Sequence, residues 1–306
     1  MEGILPLLKP KGMTSHDCVF KLRKLLKTKK VGHTGTLDPD VTGVLPICVG
    51  RATKIAEYIT DAGKSYEGEV TIGFSTTTED SSGELVDEVK GTKRFTRAEI
   101  LQVLHKFEGE LVQTPPMYSA VKVNGKKLYE YARAGIEVER PKRNVKIYSM
   151  TLLDDRNEFS GENVSFRFRV SCSKGTYIRT LAVMIGEELG YPAHMSHLVR
   201  IQSSSFTLED CYTFEQIEQY AEENRQMELL KPLEYGLTHL PKIDLRYDQA
   251  RKVVNGLALA NPGNKNLELE EPFVLMYNNI AIAIYKIPEN KKNVIKPVKV
   301  LRTSLT

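Results

Sequence analysis

Val31-Gly-His-Thr-Gly-Thr-Leu-Asp-Pro-Asp-Val-Thr-Gly43 runs directly into the apolar stretch Val44-Leu-Pro-Ile-Cys-Val49. The first part holds three glycines, three threonines, two aspartates, a histidine and a proline. Gly, Asp and Pro favour turns, so it reads as an ordered loop. The second part reads as a buried strand. Asp38 therefore sits just ahead of a strand. Pro39 disfavours the helical region for the residue before it, so an extended backbone is expected at Asp38. Loops carried on rigid scaffolds are where catalytic groups concentrate. A turn whose aspartate bonds its own backbone would have the same composition. The loop is not a P-loop, because no G-x-x-x-x-G-K-[ST] is present. For glycoside hydrolysis a second carboxylate is needed, and only Asp40 stands ready for that.

Outward from the loop, residues 3–8 read as a short apolar strand, and Lys9 to Ser15 as a turn. Thr14 or Ser15 can cap a helix over 16–27, with Cys18, Val19, Leu22, Leu25 and Leu26 on its apolar face. A helix over about 51–60 carries Ile55, Ala56 and Ile59. Lys64 to Phe74 alternates as a strand, with Tyr66, Val70, Ile72 and Phe74 on one side. Residues 75–93 are polar and read as a loop. Thr96-Arg-Ala-Glu99 is a capping box opening a helix to about 107, with Phe95 and Ile100 as its hydrophobic staple.

Residues 110–146 change character and read as a basic insertion over the core. They include the extended Thr114–Ala120 run, an Asn124-Gly125 hairpin signal and a short helix at about 127–134. Val164, Phe166, Phe168, Val170 and Cys172 alternate strictly and mark a strand. After the turn Ser173-Lys-Gly-Thr176, a helix carries Ile178, Leu181, Ala182 and Ile185. Residues 194–208 read as strand, and Thr213-x-x-Gln216 opens a helix over about 214–223. Many strands with intervening helices and no βαβ rhythm point to an α+β fold with a mostly antiparallel sheet. Leu240-Pro241 looks like a boundary. Beyond it lie a helix (about 248–256) and the strands Phe273–Tyr277 and 280–287 around Asn278-Asn279. A first domain over 1–238 and a small β-rich one over 239–306 are expected.

The chain has 306 residues, with 41% hydrophobic and 27% charged content, ordinary for a soluble globular protein. No apolar run reaches the roughly 18 residues of a membrane span. The N-terminal stretch lacks a basic region followed by a long apolar core, so no signal peptide is expected. Cys18, Cys48, Cys172 and Cys211 form no C-x-x-C pair; reduced thiols in the cytoplasm are expected, without a zinc site or disulfide framework. His194 and His197 lie three apart without a clear third ligand and are read as non-metal. Net charge is only +4, but its distribution is uneven. Residues 1–30 hold eight Lys/Arg against two acids, and residues 121–146 hold eight against three. Such clusters suit a phosphate backbone, and equally a solvated surface.

Val31-Gly-His-Thr-Gly-Thr-Leu-Asp-Pro39 with Thr42-Gly-Val-Leu-Pro-Ile-Cys48 closely resembles the catalytic motif of the TruB family of tRNA pseudouridine synthases. Lys9-Pro-x-Gly-x-Thr-Ser15, Lys64-Ser-Tyr66 and Ser171-Cys-Ser-Lys-Gly-Thr-Tyr-Ile-Arg-Thr180 resemble further motifs of that family, in the same order. Ser196-His-Leu-Val-Arg-Ile-Gln202 departs from the L-x-x-L-R-R-like segment at its position. The C-terminal module is placed like the family's PUA domain, though short for one.

The resemblance implies a mixed-sheet pseudouridine synthase core, a thumb-like insertion and a PUA-like RNA-binding domain. It implies isomerisation of a uridine to pseudouridine in the tRNA T loop, at position 55 of the usual count; nothing in the sequence demands more than a monomer. That conversion needs no redox change or group donor, so no cofactor is implied. Asp38 would be the nucleophile, with Arg179 as its ion-pair partner favouring the ionised form. Tyr66 would pack on a flipped-out base and is a candidate proton acceptor. Tyr177 and Leu198 would complete the pocket, and His33 would help displace the base. Lys9, with Lys11 and the insertion, would grip phosphates. Two other functions fit the same residues: a non-catalytic RNA-binding or RNA-folding protein, and a glycosidic-bond hydrolase using Asp38 and Asp40.

Overall fold

Along Val164–Cys172 the side chains alternate between core and solvent. In the computed structural model, which describes residues 1–264 and 267–305, Phe166, Phe168, Val170 and Cys172 are buried while Arg167 and Arg169 are exposed. This strand lies inside a nine-stranded sheet. Its members are β1 (Gly3–Lys9), β2 (Val31–His33), β3 (Thr42–Val49), β4 (Lys64–Ile72), β5 (Gly109–Gln113), β6 (Arg143–Leu152), β7 (Val164–Cys172), β8 (Ala193–Ser203) and β9 (Phe206–Thr207). The order is β1-β3-β8-β4-β7-β6-β5, with β2 on β3 and β9 on β8. All pairings are antiparallel except β3 with β8. The fold is α+β with a mostly antiparallel mixed sheet, as the sequence indicates.

The helices cover this sheet in two groups. α1 (Ser15–Leu25), α2 (Ala56–Asp61), α3 (Arg97–Lys106), α4 (Leu128–Arg133), α5 (Ile178–Glu188) and α6 (Phe214–Glu222) are joined by α7 (Tyr247–Val253) nearer the C-terminus. α3 and α5 pack Ile100, Leu104, Leu181 and Ile185 on Val70, Phe166 and Val170. α1 and α6 pack Val19, Leu22 and Ile217 on Leu5, Leu7, Leu45 and Ile47. Capping boxes at Thr14/Asp17, Thr96/Glu99 and Thr213/Gln216 fix the starts of α1, α3 and α6.

The continuous apolar run of β3 has a simple cause: both of its faces are buried. Leu45 and Ile47 face α1, while Val44 and Cys48 join a cluster with Ile55, Ile59, Val274 and Ile284. The last two belong to a second sheet of β10 (Lys242–Asp244), β11 (Leu259–Ala260), β12 (Phe273–Tyr277), β13 (Ile280–Lys286) and β14 (Val294–Val300), in the order β10-β12-β13-β14-β11. Asn278 and Asn279 turn β12 into β13 at φ 50° and 61°. The C-terminal module therefore shares apolar contacts with the main sheet in addition to its own core around Phe273, Leu275 and Tyr285.

Three expectations need correction. The 75–93 stretch is not all loop, because Phe74–Thr76 pairs with Leu85–Glu88 and Lys93–Thr96 pairs with Glu158–Gly161. All four residues of Leu85–Glu88 are exposed, so no apolar alternation marks them. The expected 51–60 helix starts as a 3₁₀ turn over Gly50–Ile55 before α2. Both ends of the 110–146 stretch belong to the main sheet, since β5 pairs with β6. Only residues 114–142 stand outside it, with the Asn124-Gly125 hairpin at φ 50° and 83° leading into α4.

Candidate active site

The Asp38 loop is held from three directions. Thr34, fully buried, donates its hydroxyl to the Pro46 carbonyl on β3 at 2.9 Å. Leu37 N donates to Ser15 Oγ, at the start of α1, at 2.9 Å. Lys9 Nζ, at the end of β1, donates to the carbonyls of Pro10, Pro39 and Val41 at 2.9, 3.0 and 2.8 Å. Lys9 is fully buried, and all three ammonium protons are engaged. This corrects its expected role: Lys9 cannot reach a phosphate, and it positions the loop instead. Gly43 closes the loop onto β3 at φ +114°, where a Cβ would lie 2.2 Å from the Arg200 carbonyl. Only glycine permits the close pairing of β3 with β8 there.

Asp38 meets Arg179, with Oδ2 3.0 Å from Nε. Arg179 lies in the first turn of α5 and is only 5% exposed. Its Nη1 donates to Thr78 O at 2.8 Å and lies 3.6 Å from Asp80 Oδ2, while its Nη2 donates to Tyr118 O at 2.9 Å. The turn that supplies Thr78 and Asp80 passes through Glu79 at φ +63°, an uncommon conformation for a side-chain-bearing residue. Asp80 Oδ1 holds the turn through Thr78 Oγ1, Ser82 N and Ser82 Oγ. Gln113, at the end of β5, exchanges two hydrogen bonds with the Tyr177 backbone and so fixes the entry to α5.

Asp38, Arg179, Tyr66, Tyr177, Leu198 and His33 all line one cleft of about 860 Å³. The exposed Asp40 does not line it. Tyr66 on β4 faces Val170 of β7 and Arg200 of β8 across the ladder. Leu198 is opposite Gly68, whose missing side chain leaves room for it: a Cβ there would lie 3.3 Å from Leu198 Cδ1. Ser119, Lys127 and Tyr129 of the 114–142 segment line the same cleft.

Electrostatics adjust the expected picture. The Asp38 carboxyl is 42% exposed to the cleft, yet protein surrounds it on most sides. Loss of bulk water pushes it above the ordinary aspartate range; Arg179 pulls it down, and Asp80 adds to the rise. Burial likewise pushes the Tyr66 phenol up and the His33 imidazole down. His33 Nδ1 is buried and makes no hydrogen bond among the described residues. Lys64 is lowered to about 8 by burial and by the nearby Arg200.

Comparison with known proteins agrees with this geometry. Residues 23–178 match the model of the TruB family pseudouridylate synthase N-terminal domain, and residues 179–238 that of the tRNA pseudouridylate synthase B C-terminal domain. The chain belongs to the TruB family of pseudouridine synthases. It is thus an isomerase. It is 57% identical to tRNA pseudouridine synthase B of Bacillus cereus over 98% of this chain and 97% of that one. Identity to the Geobacillus thermodenitrificans protein of the same name is also 57%, over 99% and 100%. Among solved structures, a chain of a Cbf5-Nop10-Gar1 complex superposes with a TM-score of 0.76 at 29% identity, covering 98% of this chain and 85% of that one. A chain of an H/ACA RNP bound to a substrate RNA containing 2'-deoxyuridine gives 0.74 at 26%, covering 98% and 84%.

Several groups at the cleft of this synthase escape sequence reasoning. Thr78 and Tyr118 hold Arg179 with backbone carbonyls, which carry no residue signature. Asp80 lies in the polar stretch read as loop. Lys64 and Arg200 stand within the family-like segments, yet no role follows for them from the resemblance. For Arg200 a signal exists: a charged residue two positions after Leu198 in a stretch read as strand, and so on the same face as that pocket residue.

Proposed function

We propose that this synthase isomerises uridine to pseudouridine in the T loop of tRNA, at position 55 of the usual count. The observation that carries this reading is the Asp38–Arg179 pair at 3.0 Å on the wall of a nucleotide-sized cleft lined by Tyr66, Tyr177 and Leu198. Curated relatives covering nearly the whole chain are named tRNA pseudouridine synthase B. A base in a folded loop is stacked, so it is extruded into the cleft at a cost of roughly a few kcal/mol. Tyr66 packs on the flipped base, Tyr177 and Leu198 close around it, and His33 occupies the space it leaves. Asp38 is the nucleophile, held in place by the loop staples and by Arg179. The N1–C1′ bond breaks, the base turns, C5 bonds to C1′, and the bond to Asp38 breaks to return the free carboxylate. The product keeps the heavy atoms of the substrate, so the chemistry calls for no cofactor.

The 114–142 segment and residues 239–306 grip the rest of the tRNA, chiefly through phosphates. Residues 1–238 carry the catalysis, and the C-terminal module acts as a PUA-like RNA-binding domain. The protein works as a monomer and, with tRNA as substrate, in the cytoplasm. Asp40 lies away from the cleft lining, which speaks against a paired-carboxylate hydrolase.

Transfer RNA carrying tritium at uridine C5 tests the proposal. Isomerisation releases tritium to water with the strand intact. A binding protein would release none, and a hydrolase would leave an abasic ribose and free uracil; either result overturns the reading.

A further inference from the structure

A second arginine lies at the floor of the cleft, on β8, and its surroundings differ from those of Arg179. Arg200 is 1% exposed, among the most deeply buried side chains of the chain. Its Nε donates to the Val44 carbonyl at 2.7 Å. Its Nη2 makes no hydrogen bond, and no acidic side chain pairs with it, among the described residues. Its field acts on other cations or potential cations, lowering Lys9, Lys64 and His33 alike. Lys64 spends two protons on the carbonyls of Thr60 and Ala62. A buried guanidinium without a counter-charge is costly, and its persistence calls for an anion that the resting protein does not supply.

The cross-strand register identifies the group that can become that anion. Tyr66 and Arg200 are opposite each other on β4 and β8, and both line the cleft. The guanidinium's charge acts on the phenol, opposing the rise that burial causes. Cys172 and Asp38 also act electrostatically on Tyr66, but burial pushes the Cys172 thiol up to about 11, and Asp38 is committed to Arg179.

We propose that Arg200 is a positioning residue for the proton-transfer half of the reaction, holding the negative charge that the Tyr66 oxygen acquires. The inference rests on the isomerase reading above. Pseudouridine carries a proton on N1 that uridine lacks, and has lost one from C5. Tyr66 O–H gives its proton to N1 once the N1–C1′ bond has broken, leaving a phenolate against Arg200. After the C5–C1′ bond forms, the phenolate takes the C5 proton. The C–H electron pair returns to the ring as the C5=C6 double bond, and the phenol is restored. No outside acid or base is consumed.

The test compares Arg200→Met and Arg200→Lys in the full-length protein, on tRNA with protium or deuterium at the target C5. In Arg200→Met, kcat falls by roughly 10²- to 10⁴-fold, the range of a lost acid–base contribution, while KM is unchanged. A primary C5 isotope effect on kcat appears, larger than in the parent. Arg200→Lys recovers part of kcat and shrinks the isotope effect. In a Tyr66→Phe background, Arg200→Met costs nothing further. If Arg200→Met does not fold, Arg200→Gln, which keeps a donor for the Val44 carbonyl, takes its place. A raised KM with kcat intact would make Arg200 a phosphate contact and overturn the proposal, as would equal losses in every variant without a C5 isotope effect. Tritium release by the parent keeps the two questions apart: none means that the isomerase reading fails, whereas release with no C5 effect in the variants sinks only this inference.

Discussion

The wall and the floor of the cleft each bury an arginine, and the two are furnished differently. On the wall, Arg179 meets Asp38, Asp80 and the carbonyls of Thr78 and Tyr118. On the floor, Arg200 has one carbonyl and no carboxylate among the described residues. Arg179 is complete before substrate arrives, so its work is to hold a reactive group in one geometry. Arg200 is incomplete, so its work falls in the part of the reaction where a charge develops. Preorganised charges of both kinds act strongly in sites shielded from water. Lys9 supplies a third case, a buried cation spent wholly on backbone carbonyls. Its influence on chemistry runs through the shape of the loop.

The severest way to break the comparison is Asp38→Asn. Arg179 would keep both carbonyls and Asp80, so the wall should stay folded. Turnover in the tritium-release assay should fall by about 10⁴-fold or more, the scale of losing a nucleophile. Affinity for tRNA should stay within about a few fold, because phosphate contacts dominate it. Normal turnover would remove Asp38 from the mechanism. A large loss of affinity would mean that the wall binds RNA rather than acting on it.

How much of this was open to view in the amino-acid string differs between wall and floor. The Val164–Cys172 alternation gave one central strand, and the Thr-x-x-Glu/Gln patterns placed two helix starts, because local periodicity and capping chemistry need no knowledge of the rest of the chain. The Asp38 loop was legible as a loop from composition, and as a catalytic one only through its resemblance to a family motif. Arg179 came with a second motif, and the two do meet. Lys9 misled because lysine is almost never fully buried unless paired, and its three partners are carbonyls that any residues could offer. Glu79 and its neighbours were hidden for the same reason: Arg179 is held by main-chain atoms of a polar turn that has no apolar pattern. The sequence misplaces the limits of the insertion because β5, at the edge of the sheet, and β6 beside it carry charged residues on their exposed face.

Lys9→Met should have an intermediate effect, mainly on stability. It would leave the Pro10, Pro39 and Val41 carbonyls without their donor. Buried polar groups left unsatisfied cost roughly 1–3 kcal/mol each, and relief from burying the ammonium offsets part of that. A net loss of about 2–4 kcal/mol is expected from denaturant midpoints, with kcat reduced because the Asp38 loop loosens. If Lys9 instead gripped RNA, stability would hold and the salt dependence of tRNA binding would flatten.

Asp80→Asn should have the smallest effect, and it tests the wall most finely. Asp80 shares Arg179 with Asp38, and its negative charge raises the Asp38 carboxyl. Removing that charge lowers the Asp38 pKa in two ways: a like charge disappears, and Arg179 turns its field more fully on Asp38. Catalysis needs the carboxylate, so activity declines as pH falls through the pKa of Asp38. A lower pKa therefore moves the acid limb of the kcat–pH profile to lower pH, leaving the variant relatively more active in acid than the parent. Asn retains an oxygen for Thr78 and Ser82, so the turn should keep its shape and KM should not move. A shift toward higher pH would mean that Asp80 helps ionise Asp38 by orienting Arg179, and the wall would then be a three-membered network in which orientation outweighs charge.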